Sequence, residues 1–253
     1  MSESQGRVKA VIWRLRGHMM LRLPDRAIRA GCCLVLISLV GGCRTTGDSS
    51  VHRSLTRSVE SERYVSLTMN IDDVRIKGIE GSEVISAYVE VEEVQKELAE
   101  RIGVVLTDTE EGFHITVQKP WLWPWQCPEV ELTLEVPARM SVSAASASGH
   151  VRASGALRGL KVRTRNGSVL VVNCSIEGNC VLRTDNGRVS LRDDAVGEEV
   201  YVRTDNGGVD LTRLKVCECT VSTSSGGVVV RHSEIDDLAV WRNSYRQGGP
   251  PEI

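Results

Sequence analysis

Large rings are scarce in this chain. Its 253 residues carry five Trp, four Tyr and one Phe. That scarcity excludes a core built around aromatic side chains, and valine takes the apolar load instead. No charge dominates: 31 Lys and Arg face 33 Asp and Glu, a formal net charge of −2. Such a balance gives no basic footprint for nucleic acid. Long apolar runs are missing too. The run Cys32–Val40 is about nine residues, well short of the roughly 20 that a spanning helix needs. No Gly-x-Ser-x-Gly nucleophile motif occurs. The histidines His52, His114, His150 and His232 are scattered. Cys217-Glu218-Cys219 lacks the second pair that a zinc site requires. From these absences we expect no enzyme, no metal and no cofactor. What remains is a chain that is 25% charged and 41% hydrophobic, ordinary for a globular protein with a sizeable core.

The N-terminus reads as an address. Residues 1–42 hold Lys9 and six arginines against Glu3 and Asp25, then the apolar run. A basic flank, a short apolar stretch and small residues make a secretion signal. Leu39-Val40-Gly41-Gly42-Cys43 resembles the bacterial lipobox. That resemblance implies cleavage before Cys43 and lipid on its thiol, so that two or three acyl chains hold the protein stably on a membrane. Met19 or Met20 would give a more usual signal length. Without residues 1–42, 24 basic residues face 31 acidic ones, and the charge falls to about −7. Cys32 and Cys33 leave with the signal. Cys127, Cys174, Cys180, Cys217 and Cys219 remain, an odd count that leaves at least one thiol free or intermolecular.

An internal repeat sets the architecture. Arg163-Thr164-Arg165-Asn166-Gly167-Ser168-Val169 recurs as Arg183–Val189 and again as Arg203–Val209, with a weaker copy at Ser222–Val228 and an earlier one at Ala147–Val151. Aligned on these glycines, apolar residues fall into columns: Leu160, Cys180, Val200, Cys219 and Leu238; Val162, Leu182, Val202, Val221 and Val240. After each turn come Val169, Val189, Val209 and Val228, then Val171, Leu191, Leu211 and Val230, and finally Ile176, Val196, Val216 and Ile235. The spacing of two within each pair is that of a strand with one buried face. Asn-Gly also signals hairpins, so a sandwich or meander competes. A fixed period of identical residues favours an all-β parallel solenoid with rungs of about 20 residues stacked about 4.8 Å apart. Threonines 164, 184, 204 and 223 and asparagines 166, 186 and 206 would then form ladders. The pairs Asn166-Gly167, Asn186-Gly187 and Asn206-Gly207 would serve structurally, as tight turns that exploit positive φ.

The domain plan is a signal peptide (1–42), a polar tether (43–60), an N-terminal β-rich part (61–140), the repeat solenoid (141–241) and a polar tail (242–253). Strand-like runs lie near Arg63–Asn70, Val84–Val91, Gly112–Gln118 and Val130–Val136. Glu93–Ile102 reads as a short helix that caps the solenoid. Cys180 and Cys219 lie two rungs apart, beyond disulfide reach, whereas Cys174–Cys180 across a short loop is open. Otherwise the cysteines read as small core hydrophobes.

A lipobox, the strand Val84–Val91 followed by Glu92-Glu93-Val94-Gln95-Lys96-Glu97-Leu98, the strand around Phe113-His114-Ile115-Thr116-Val117, the segment Val130–Pro137 and then repeated Thr-x-Asn-Gly-x-Val rungs together resemble the "putative adhesin" family, domain of unknown function 4097. The resemblance covers roughly residues 60–240, and the Trp-rich insert at 120–127 departs from the pattern. It implies a β-helical envelope protein without catalytic residues.

Two surfaces stand out as binding candidates. Arg163, Arg183 and Arg203 occupy one outward column, where stacked guanidiniums suit sulfate, phosphate or uronate groups of a polymer. The same row also reads as solvated and balanced by Asp185 and Asp205. Trp121, Trp123 and Trp125 alternate and share a face of an extended chain, fit for sugar rings or a membrane interface; equally, they read as a plug on the solenoid. Asp185, Asp193, Asp194, Asp205 and Asp210 lack the calcium repeat, and Asp185 and Asp205 are explained by turn chemistry. The sequence therefore points to an exported, lipid-anchored (Cys43), non-catalytic envelope module, adhesin-like, contacting a membrane through its anchor and a glycan or protein partner. A sensory accessory and a glycan-active enzyme are the alternatives.

Overall fold

The computed structural model describes residues 51–59, 64–69, 71–92, 102–109, 112–118 and 129–242. All regular structure among them is strand. Seven strands precede the repeats: β1 (Val51–Ser58), β2 (Tyr64–Met69), β3 (Asp73–Ile79), β4 (Val84–Glu92), β5 (Gly103–Asp108), β6 (Gly112–Gln118) and β7 (Glu129–Pro137). The repeats supply β8 (Ser141–Ser148), β9 (His150–Leu157), β10 (Gly159–Asn166), β11 (Val169–Ile176), β12 (Cys180–Thr184), β13 (Val189–Arg192), β14 (Ala195–Thr204), β15 (Val209–Thr212), β16 (Lys215–Thr223), β17 (Val228–Arg231) and β18 (Glu234–Arg242).

From β8 onward each strand pairs in parallel with its equivalent one rung away. The register joins the residues that the repeat aligns, for example Leu160↔Cys180↔Val200↔Cys219↔Leu238 and Val171↔Leu191↔Leu211↔Val230. A short third ladder runs through Ile176, Val196, Val216 and Ile235. The result is a β-solenoid-like stack, not a sandwich of hairpins. Its core is a set of aliphatic files, with Val162, Leu182, Val202 and Val221 fully shielded from solvent. Burial of each such side chain contributes roughly 1.5–3 kcal/mol, and because each needs a neighbour above and below, no rung is stable alone.

The stack continues across the expected boundary at 140/141. β2 pairs in parallel with β8, and β3 with β9. On their other side β2 and β3 pair in parallel with β6 and β7. The rung made first in sequence is therefore sandwiched between the second and the third. Beyond it the end is closed by antiparallel strands: β5 on β6, β4 on β7, and β1 on β4. An Arg57–Asp108 ion pair at 2.9 Å ties β1 to β5. The sequence reading assigned this capping to a helix at Glu93–Ile102. Of that segment only Ile102, buried just ahead of β5, lies within the described residues. β1 falls inside the stretch read as tether, since its polar sequence VHRSLTRS shows no alternation and its place comes from pairing with β4. At the opposite end, Val230, Leu238 and Val240 stand in the inward files yet are 40–47% exposed, because no further rung covers them among the described residues.

The corners work differently from expectation. None of Gly167, Gly187, Gly207 and Gly226 has φ in the left-handed region. Glycine is required there by close approach: a Cβ on Gly187 would lie 1.9 Å from the Gly167 carbonyl oxygen, and one on Gly207 1.8 Å from that of Gly187. Positive φ is used at another corner, by Asn173 (51°), Asp193 (59°), Arg213 (53°) and His232 (51°). The register shift between Val171 and Cys174 lies at this corner. Asn and Asp tolerate that conformation; Arg and His hold it because neighbouring rungs impose it.

Candidate functional site

The functional surface is built from the outward positions of β10, β12, β14, β16 and β18. Strand alternation buries Val162, Thr164 and their equivalents, so the residues between them face solvent. Register then places Arg163, Arg183 and Arg203 in one exposed file. The spacing between neighbours is about 4.8 Å at the backbone. The inner side of this strip is hydrogen-bonded from rung to rung. Thr184 donates to the Gly167 carbonyl at 2.8 Å, Thr204 to Gly187 at 3.0 Å and Thr223 to Gly207 at 3.2 Å. Thr164, at the start of the file, finds no side-chain hydrogen-bond partner among the described residues. Beside the file runs the expected asparagine ladder: Asn186 donates to Asn166 at 2.9 Å, Asn206 to Asn186 at 2.8 Å, and Ser225 to Asn206 at 3.0 Å.

Neutralisation of the arginines is incomplete. Arg203 Nε lies 3.6 Å from Asp205 Oδ1, a contact too long for a hydrogen bond. Asp185 makes no ion pair among the described residues, although the sequence reading offered it as a counter-charge. The Arg183 Cζ stands 5.2 Å from the centre of the Tyr201 ring, a cation–π contact, and its N–H groups make no hydrogen bond among the described residues. No carboxylate pairs with Arg163 or Arg183 among the described residues. Like charges in direct register repel, so the file holds an unspent positive potential. Glu199, Glu218 and Asp237 form a separate acidic file in the same ladder, four residues back along the strands and so roughly 13 Å away.

Two aromatic residues that sequence reading missed belong to this surface. Tyr201 lies in the neighbouring outward file, which begins at Lys161. Trp241 continues the arginine file through Ser222, by the register Arg203↔Ser222↔Trp241, and is 66% exposed. The signal was available: extending the alignment columns outward as well as inward reaches both.

The aspartates hold contacts of the fold. Asp193 is held by Arg213, with Nη2 at 2.7 Å, and that hydrogen bond lowers its pKa. Asp194 turns inward. Its two oxygens accept the backbone N–H groups of Cys174 and Arg192, each at 2.8 Å. Burial pushes its pKa up to about 7 against the pull of those two bonds. Asp194 thus caps the positive-φ corner, the task Ser233 performs for Leu214 N–H two rungs on. Asp210 accepts from Thr212 at 2.8 Å and faces Arg192 at 3.4 Å. A shallow depression of about 520 Å³ lies at this corner, lined by Asn173, Cys174, Asp193, Asp194 and Arg213.

The thiols of Cys174, Cys180, Cys217 and Cys219 are free, so the Cys174–Cys180 bridge left open by sequence is not formed. Burial pushes Cys174 up to about 12, Cys219 up to about 11 and Cys180 upward, which keeps them as inert core side chains. Cys43, Trp121, Trp123, Trp125 and Cys127 lie outside the described residues.

The family model described as Toastrack DUF4097 matches residues 64–244. No curated protein matches the chain. Similar solved structures include a "putative cell adhesion protein" from Clostridium sporogenes, 11% identical, with a TM-score of 0.43 over 75% of this chain and 100% of that one. A "putative adhesin" from Parabacteroides distasonis is 9% identical, with a TM-score of 0.42 over 75% and 96%. A "putative lipid binding protein" from the same species is 11% identical, with a TM-score of 0.31 over 75% and 94%.

Proposed function

Because the chain belongs to the Toastrack DUF4097 family, we propose that it is a non-catalytic binding module, exported and lipid-anchored at Cys43, that holds an anionic polymer of the cell envelope. The observation that carries this reading is the file Arg163–Arg183–Arg203, stacked like on like, with no carboxylate paired to its first two members among the described residues. A surface charge arrangement that serves only solubility mixes signs. This one concentrates planar, bidentate donors at a regular spacing, which suits a polymer with regularly spaced acidic groups. The lipobox and the basic, apolar N-terminus support membrane anchoring.

The test has two arms. Incorporation of labelled fatty acid, lost in Cys43→Ala together with membrane association, supports the anchor; a Cys43→Ala variant that stays membrane-bound to the same extent refutes it. Binding to isolated anionic envelope polymer that weakens steeply with salt and falls at least tenfold in Arg183→Ala/Arg203→Ala supports the polymer reading. Unchanged binding by the double variant refutes it.

A further inference from the structure

We propose that the arginine file reads uronates: a linear acidic glycan lies along the solenoid axis, about one sugar per rung, and Trp241 stacks on a sugar ring at its far end. This rests on the anionic-polymer reading above and narrows it to one ligand class. Three observations select polyuronates over polyphosphates. The first is pitch. Successive arginines are offset at the backbone by one rung, about 4.8 Å, and one pyranose of an extended glycan advances by nearly the same distance, so that carboxylates turned to the same side recur after a whole number of rungs. A glycerol phosphate unit is longer and drifts out of step after two or three arginines. The second is the chemistry of the donors. Arg163 and Arg183 have no carboxylate partner among the described residues, and the Arg183 Cζ stands 5.2 Å from the Tyr201 ring centre. A guanidinium forms the two parallel bonds that a carboxylate accepts.

The third observation is the aromatic end of the track. Trp241 stands in the same file, four rungs from Arg163, so about 19 Å along the axis. It is 66% exposed, at an outward position of the last described strand. The C–H face of a pyranose packs on an indole, as apolar rings do; a polyol phosphate chain has no ring to offer. Ser222, between Arg203 and Trp241, leaves one rung without a cation, so the cationic part of the track is three rungs long and stops one rung short of the ring.

The experiment is calorimetric titration of the full-length protein with a size-defined hexauronate, its neutral hexasaccharide counterpart and a glycerol phosphate hexamer. Saturable binding of the hexauronate is expected, at least tenfold tighter than either competitor. Arg183→Ala/Arg203→Ala should lose at least tenfold, and Trp241→Ala roughly threefold to tenfold. Intrinsic fluorescence should change on binding in the wild type but not in Trp241→Phe. All substituted residues are exposed, and equal thermal midpoints would verify folding. Tighter binding of glycerol phosphate, or full affinity in Trp241→Ala, overturns the uronate track while leaving an anionic-polymer module standing. If neither anionic hexamer binds, both readings fall.

Discussion

The N-terminal rungs and the arginine file of the repeats solve the same stacking problem with opposite charge choices. Between β3 and β7, Arg75 sits 2.9 Å from Glu131 and Lys77 3.7 Å from Glu135. Between β10, β12 and β14, arginine sits on arginine. The interiors differ as well. The N-terminal columns mix Phe113, Met69, Ile76 and Leu134, whereas the repeat columns hold mostly Val and Leu with small cysteines. The end rungs close a cap and need varied shapes; the middle rungs copy one another. Charges that pair across strands support the fold, and charges that do not are left for something else.

Several measurements would break or sharpen that contrast. The largest effect belongs to rung spacing. Gly187→Ala places a methyl 1.9 Å from the Gly167 carbonyl oxygen and should cost roughly 2–4 kcal/mol in denaturant unfolding. Gly103→Ala, in the cap with open space around it, should stay within about 0.5 kcal/mol. Equal losses would mean that the close approach does not govern the repeats.

Next comes the buried corner. Asp194 has its pKa raised to about 7 in the folded state, so between about pH 4 and 7 the folded chain retains a proton that the unfolded chain releases. Stability should therefore fall as pH rises through that window and level off above it. Asp194→Asn should remove this component and cost about 1–2 kcal/mol, since one amide oxygen replaces two acceptors. An unchanged pH profile in the variant would refute the assignment.

Smaller is the asparagine ladder. Asn186→Ala removes one bond to each neighbouring rung and should lower stability by about 1 kcal/mol. Smallest, and most diagnostic, is a sign. Lys77→Ala should destabilise slightly, while Arg183→Ala should leave stability unchanged or raise it at low salt, both within about 0.5 kcal/mol. A clear loss of stability in Arg183→Ala would return that residue to the fold and remove the argument for a ligand.

Legibility in the sequence followed the repeat. The inward columns that start at Leu160, Val162, Val169, Val171 and Ile176 were readable because like residues land on one another in a parallel stack, so period alone sets register; the buried corner column of Cys174, Asp194 and Leu214 was not, since its members differ in type. The arginine file and the asparagine ladder were readable for the same reason. Tyr201 and Trp241 lie in outward columns whose neighbouring members differ in type (Val181 and Thr220, Ser222), so period alone does not mark them. β3 carried a plain alternation, Val74 and Ile76 buried between Asp73, Arg75 and Lys77, yet its neighbours could not be read from it.

By itself, then, the sequence determined a narrow, Val-lined, ring-poor coil and which residues share its faces, since those follow from local period. Tertiary structure alone decided the order of the first three rungs, the antiparallel cap, the left-handed corner and the true role of the Asn-Gly glycines. Those depend on which backbone lies against which. Alternation chooses a face for a side chain but names no partner strand, and the distance between two stacked carbonyls leaves no mark on either segment's own pattern.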